Sequence, residues 1–187
     1  MADRSERKER LVAALSDTFR THGYGGASVA VLARAAGLSK ASLYHHFPGG
    51  KEAMAAAVLE AAEARLEAEM LTPLAGDTPL PERVDAMMAA VEEHHGGGCE
   101  PGIFGQFSQV GADHPFAAPV AAFYGRWIAS LADALSENGV ESEEAVCRAA
   151  DVVMVVEGAL LLSRVLADPG PLHRVRRHLP STIAEGG

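Results

Sequence analysis

Lys40, Ser42, Tyr44, His45 and His46 put an ammonium, a hydroxyl, a phenol and two imidazoles into one short run of the chain. None sits beside a partner that would make it a nucleophile. As a set they are hydrogen-bond donors and acceptors of the kind that touch base edges and phosphate oxygens, which is the chemistry of a helix laid in a DNA major groove. Such a helix must be anchored from behind. At about 100° per residue, Leu43 and Phe47 share one face while Ser42 and His45 point away from it, with Tyr44 and His46 at its flanks.

The elements that must position this helix are legible on either side of it. Val29, Leu32, Ala33 and Ala36 recur at helical spacing, with Ser28 placed to accept a hydrogen bond from the free amides of the first turn. Gly37 can close that helix in the left-handed conformation, Leu38 can fold back onto its apolar face, and Ser39 caps the helix that follows. Arg34, on the first of the pair, could reach DNA or remain solvated. The residues Pro48, Gly49 and Gly50 end the second helix, and Lys51 opens the next, where its ammonium and the first backbone amides could both hold a phosphate. On spacing alone, a DNA-reading pair and an ordinary helical hairpin both remain open.

The stretch YHHFPGGKEAM, preceded by AGLSKAS and by Gly23 and Tyr24, resembles the signature of the TetR/AcrR family of bacterial transcriptional regulators over roughly residues 8 to 60. The resemblance implies an all-α chain with an N-terminal three-helix helix-turn-helix domain, residues 1–50, followed by a helical ligand-binding and dimerisation domain, residues 51–187. It further implies a homodimer on a palindromic operator in double-stranded DNA, acting as a repressor released by a small-molecule effector. Ser28, Lys40, Tyr44, His45 and Lys51 match the family's pattern of phosphate and base-edge contacts. Arg34, Ser39, Ser42 and His46 complete the expected DNA face. Gly49 and Gly50 stand where the family often has a polar residue before the lysine, which loosens the aim of Lys51.

Charge is divided along the chain in the same sense. The overall net charge is −9, yet residues 1–51 carry +4 and the remainder −13. A basic head on an acidic body turns the head toward DNA. The 48% hydrophobic content is enough for a substantial core, and no apolar run reaches membrane-spanning or signal-peptide length, so a cytoplasmic protein without a membrane partner is expected. Cys99 and Cys147 are far apart in sequence and need not pair.

Beyond the head, Leu11, Val12, Leu15 and Phe19 mark an amphipathic first helix over about Arg4 to His22. An Ala- and Glu-rich helix is expected from Lys51 to about Met70, then a loop over Thr72 to Glu82, a helix from about Glu82 to His95, and a short helix within Cys99 to Val110. Val120, Phe123, Tyr124, Trp127, Leu131 and Leu135 define a helix over Phe116 to Leu135, and the last long helix is expected from Ser142 to Leu166. Its centre, Val152 to Leu162, is apolar on nearly every side and must be buried all round. Helices near 118–135 and 142–166 from two copies would do this in a four-helix interface, with Gly158 and Ala159 allowing close approach. Central burial in a monomer is the other solution.

For an effector, Met87, Met88, Val91, Phe104, Phe107, Tyr124, Trp127 and Met154 are candidate lining residues, though each is equally a core residue type. Glu157, a carboxylate in an apolar helix, needs a partner: Arg126, Arg164, a polar ligand group or the other subunit. The expected effector is mostly apolar or aromatic, and no cofactor is implied. His94, His95 and Cys99 raise the alternative of a redox- or metal-responsive regulator with the same head, but their spacing matches no standard metal site, so no metal ligands are assigned. GQFSQVG around Ser108 is not a nucleophile elbow, and no phosphate loop or paired catalytic motif occurs, so an enzyme is not expected.

Overall fold

The computed structural model describes residues 2–111 and 113–185, and among these every regular element is helical. In chain order they are α1 (Ala2–Gly26), α2 (Val29–Ala35), α3 (Lys40–His46), α4 (Gly50–Leu66), a π-helical turn (Glu67–Leu71), a 3-10 turn (Thr72–Ala75), α5 (Leu80–His94), α6 (Ile103–Phe107), α7 (Ala117–Glu137), α8 (Ser142–Leu166) and α9 (Gly170–Glu185). They form two compact units: Met1–Ala64 with Gly102–Val120, and Arg65–Pro101 with Ala121–Gly187.

In the first unit, α1 buries Leu11, Leu15 and Phe19 on one stripe. Its helical path breaks at Gly23, whose φ of 64° only glycine adopts without strain. Leu32 and Ala33 of α2, Leu43 of α3, and Met54, Ala55, Val58 and Leu59 of α4 complete the buried set of the helical head. The segment 102–120 belongs to the same core: the Phe107 ring lies edge-on to Phe19 at 5.5 Å and to Phe116 at 5.3 Å. Phe19 and Phe107 are fully buried, each contributing about 1.5–3 kcal/mol relative to an exposed ring.

In the second unit, α5 buries Leu80, Val84, Met87, Met88 and Val91, and α7 buries Phe123, Trp127, Leu131 and Leu135, each set at helical spacing. The stretch expected as a loop, Thr72 to Glu82, keeps an irregular centre at residues 76–79 but opens with a 3-10 turn and closes with the start of α5. Prolines explain the difference, because Pro73 and Pro81 occupy first-turn positions where the missing N–H is no loss. Arg83 secures this segment from inside, donating to the Leu74 carbonyl at 2.8 Å and to Glu137 at 3.0 Å.

The helix expected over Ser142 to Leu166 has those bounds, with Glu141 accepting hydrogen bonds from the amides of Glu143 and Glu144. It is not the last. α9 follows, held to α5 by Arg176, which pairs with Asp85 at 3.2 Å and with Glu92, and by His173, 3.1 Å from Glu92. The hydrogen bond from Arg176 holds the Glu92 carboxyl below the usual carboxylate range.

Within one chain α8 is not buried all round. Val152, Val153, Val156, Ala159 and Leu160 face the core, whereas Met154 is 63% exposed and Val165 70%, with Val155, Leu161, Leu162 and Leu166 also exposed. Of the two solutions for this helix, central burial in a monomer is therefore the one the fold does not adopt.

Candidate nucleic-acid interface

The helix pair is closed by the caps its sequence calls for. Ser28 accepts from the Val31 amide at 3.3 Å and Ser39 from the Ser42 amide at 3.1 Å. Between them Gly37 takes φ 64°, its amide bonds to the Arg34 carbonyl at 3.1 Å, and the Leu38 amide reaches back to Ala33 at 2.9 Å. This pair of bonds satisfies the last carbonyls of α2 and fixes the direction in which α3 leaves.

Leu43 has no exposure and Phe47 only 6%, so α3 is pinned by that face. Lys40, Tyr44, His45 and His46 are exposed, as are Ser28, Arg34 and Ser39, while Ser42 is half-buried. The His45 and His46 rings sit edge to face at 6.0 Å. The outward surface is thus a set of donors and acceptors on a rigidly held helix, free to meet base edges and phosphates.

The turn into α4 has a definite shape despite its two glycines. Gly50 is buried at φ 66°, its amide bonds to the Phe47 carbonyl at 2.9 Å, and a methyl group added there would meet the Tyr44 ring at 3.4 Å. Lys51 is half-buried, and its ammonium lies 4.4 Å from the centroid of the Tyr24 ring. Burial pulls the Lys51 ammonium below its ordinary pKa, and burial, then the charge of Glu52, raises the Tyr24 phenol.

The expected effector-lining residues divide between the two units. Phe104 and Phe107 are buried in the first, in α6. Met87, Met88, Val91 and Trp127 are buried in the second, where the Trp127 indole N–H points at the Met87 sulfur, 3.2 Å away. The Tyr124 ring lies at 25° to that of Trp127, 6.4 Å between centroids, and its hydroxyl donates to Glu157 Oε1 at 3.0 Å. Burial raises the Glu157 carboxyl above its ordinary value, opposed by the Tyr124 hydrogen bond and the charge of Arg164. Met154 is on the exposed stripe of α8.

His94, His95 and Cys99 each turn to a different partner: His94 to Glu69 at 3.0 Å, His95 Nδ1 to the Val91 carbonyl at 2.8 Å, and the Cys99 thiol to the Ser163 carbonyl at 3.8 Å. Among the described residues no group of three or more His, Cys, Asp or Glu is arranged to hold a metal ion. Cys99 and Cys147 are both free thiols.

Two family descriptions match the chain. "Bacterial regulatory proteins, tetR family" covers residues 11–58, spanning the helix pair and its cap into α4. "Transcriptional regulator LmrA/YxaF-like, C-terminal domain" covers residues 84–178, about half of the sequence. The chain belongs to the TetR family of transcriptional regulators.

This TetR-family regulator is 22% identical over 183 residues to the HTH-type transcriptional regulator LmrA of Bacillus subtilis, with 94% of the chain and 96% of LmrA covered. A TetR transcriptional regulator from Legionella pneumophila superposes with a TM-score of 0.83 at 25% identity, covering 94% of this chain and 96% of that one. AibR, solved in complex with isovaleryl coenzyme A and operator DNA, shares the fold with a TM-score of 0.70 at 18% identity over 94% of this chain and 97% of its own. The family is one of regulators rather than enzymes. Among the described residues no helix is long and apolar enough to cross a membrane.

Two features of the TetR-family regulator lie outside what its sequence alone predicts. One is α9, whose buried Leu172 and Ile183 and half-buried Val175 and Leu179 do follow a helical stripe, masked by the basic run around it and by Pro180. The other is Tyr24 as the platform of Lys51, which needs tertiary structure to be seen.

Proposed function

We propose that this chain is a homodimeric repressor that reads a palindromic operator with α3 and is released by a small apolar or aromatic effector bound in the second unit. The observation that carries the DNA reading is the two-sidedness of α3, with Leu43 and Phe47 buried behind and Lys40, Tyr44, His45 and His46 exposed in front. In this reading Ser42 and His45 address base edges, while Ser28, Ser39, Lys40, Tyr44, His46 and Lys51 hold phosphates, and Arg34 supports them from α2. The protein acts in the cytoplasm, where its operator is.

The exposed apolar stripe of α8 supports the dimer. Met154, Leu161, Leu162 and Val165 line one side of a helix with Gly158 among them, and α7 exposes the small residues Ala122, Gly125 and Ala129. Two copies of each helix would give the self-complementary, closely packed surface that a two-fold dimer requires. In the second unit, Tyr124, Trp127 and Glu157 combine aromatic faces with one carboxylate, which suits a mainly apolar effector with a polar group. AibR provides an instance of this fold with an acyl-coenzyme A and operator DNA bound in one protein.

Release follows from differential affinity. An effector that prefers a conformation in which the two copies of α3 no longer match successive major grooves lowers operator affinity by the ratio of its affinities for the two states. Footprinting on a fragment selected from source genomic DNA tests the reading. It expects two protected half-sites one helical turn apart, about 34–36 Å, lost together on substituting His45 and Tyr44 by Ala. A footprint unaffected by those changes would assign the contact to another surface.

A further inference from the structure

We propose that Tyr24 is the positioning residue for Lys51, its ring face holding the ammonium at the start of α4 ready for a DNA phosphate. The inference rests on the reading that Lys51 contacts DNA, and adds to it a residue outside the helix pair and outside α4. The ammonium is 4.4 Å from the ring centroid, well inside the roughly 6 Å at which a cation is attracted to an aromatic face.

The ring is itself held from several directions. Phe116 meets it edge-on at 5.2 Å and His114 at 4.8 Å, Phe107 lies at 5.8 Å, and Phe19 is stacked at 6.2 Å. Gly23 directly before it takes φ 64°, so the helical path of α1 turns there and Tyr24 enters this aromatic cluster. The Gly-Tyr pair thus has one physical purpose: the glycine makes the turn and the tyrosine supplies the platform.

A lysine on a flexible four-carbon stem loses rotamer freedom when it engages a phosphate, and a side chain ordered beforehand loses less. A ring face suits this task better than a carboxylate, because it orders the ammonium without neutralising it. Burial and Glu52 both raise the Tyr24 phenol, so the ring stays neutral at the pH where Lys51 is charged. The same cluster makes the segment 102–120 a determinant of where Lys51 lies, although that segment carries no DNA-facing residue in the proposed interface.

A double-mutant cycle on the full-length protein tests this, using a random-sequence duplex because phosphate contacts do not depend on sequence. Lys51→Met should weaken binding and reduce the salt slope by about one phosphate contact. Tyr24→Leu should weaken it roughly two- to fivefold, Tyr24→Phe should retain wild-type affinity, and Tyr24→Leu should have no further effect once Lys51 is Met. Additive losses would show that Tyr24 acts only as core, and would overturn the proposal. An unchanged affinity and salt slope in Lys51→Met would instead remove the phosphate reading on which it stands. Proton NMR of the wild-type protein gives a check that needs no variant: the Lys51 methylene protons nearest the nitrogen should be shifted upfield by the ring current, and unshifted resonances would contradict the stacking.

Discussion

The Tyr124 hydroxyl donates to Glu157 Oε1 at 3.0 Å, tying α7 to the one carboxylate in the apolar centre of α8. The pair has a consequence for pH. Burial raises the Glu157 carboxyl above its ordinary 4.5, so the folded protein holds that proton more tightly than the unfolded chain. The associated stability is present below 4.5 and is lost as pH rises through the raised folded value. Glu157→Gln removes this loss. Urea titrations across pH 4 to 8 should show the variant gaining on the wild type as pH rises, and a constant difference would mean that Glu157 is solvated in the folded state.

The face of α3 predicts two kinds of DNA-binding defect. Tyr44→Ala should weaken specific and random duplexes alike, as loss of a phosphate contact does. His45→Ala or Ser42→Ala should change which base is preferred, by about 1–3 kcal/mol at one position. Equal losses from His45→Ala on operator and random DNA would remove its reading role.

Gly50 predicts a backbone defect. Its φ of 66° is strained for any residue with a side chain, so Gly50→Ala should cost about 1–2 kcal/mol in denaturant unfolding. The added methyl group would stand 3.4 Å from the Tyr44 ring, an ordinary contact, so the loss comes from the backbone. A variant as stable as the wild type would show that the turn readily takes another shape.

The α8 stripe predicts the assembly state. Leu161 is 51% exposed and Val165 70% in the single chain. If a second copy covers them, Leu161→Glu or Val165→Glu should give a folded monomer by analytical ultracentrifugation and a large loss of affinity for a two-half-site operator. A variant that remains dimeric would place the interface elsewhere.

Much of this was legible in the sequence because the signals were local. Ser28, Gly37 and Ser39 act within a few residues of themselves, and Leu43 and Phe47 declare the buried face of α3 by spacing alone. The bounds of α8 were legible too, between the acidic start at Glu143 and Glu144 and the end of the apolar run. What sequence could not supply were relationships between distant segments. The pairing of Lys51 with Tyr24, the place of Phe107 beside Phe19, and the clasp of Arg176 on Asp85 and Glu92 join residues that no periodicity connects. α9 is hidden for a different reason, since Pro180 and a basic run interrupt its apolar stripe. The apolar centre of α8 calls for cover on every side, and one chain buries only one side of it.

The most direct test is affinity measured across a salt series for a genomic fragment recovered by selection, beside a random duplex of equal length. Sequence-specific regulation predicts a palindromic site bound as a dimer and preferred by about 10³-fold or more at physiological salt. Weak binding to both duplexes, equal in affinity and in salt slope, would contradict it.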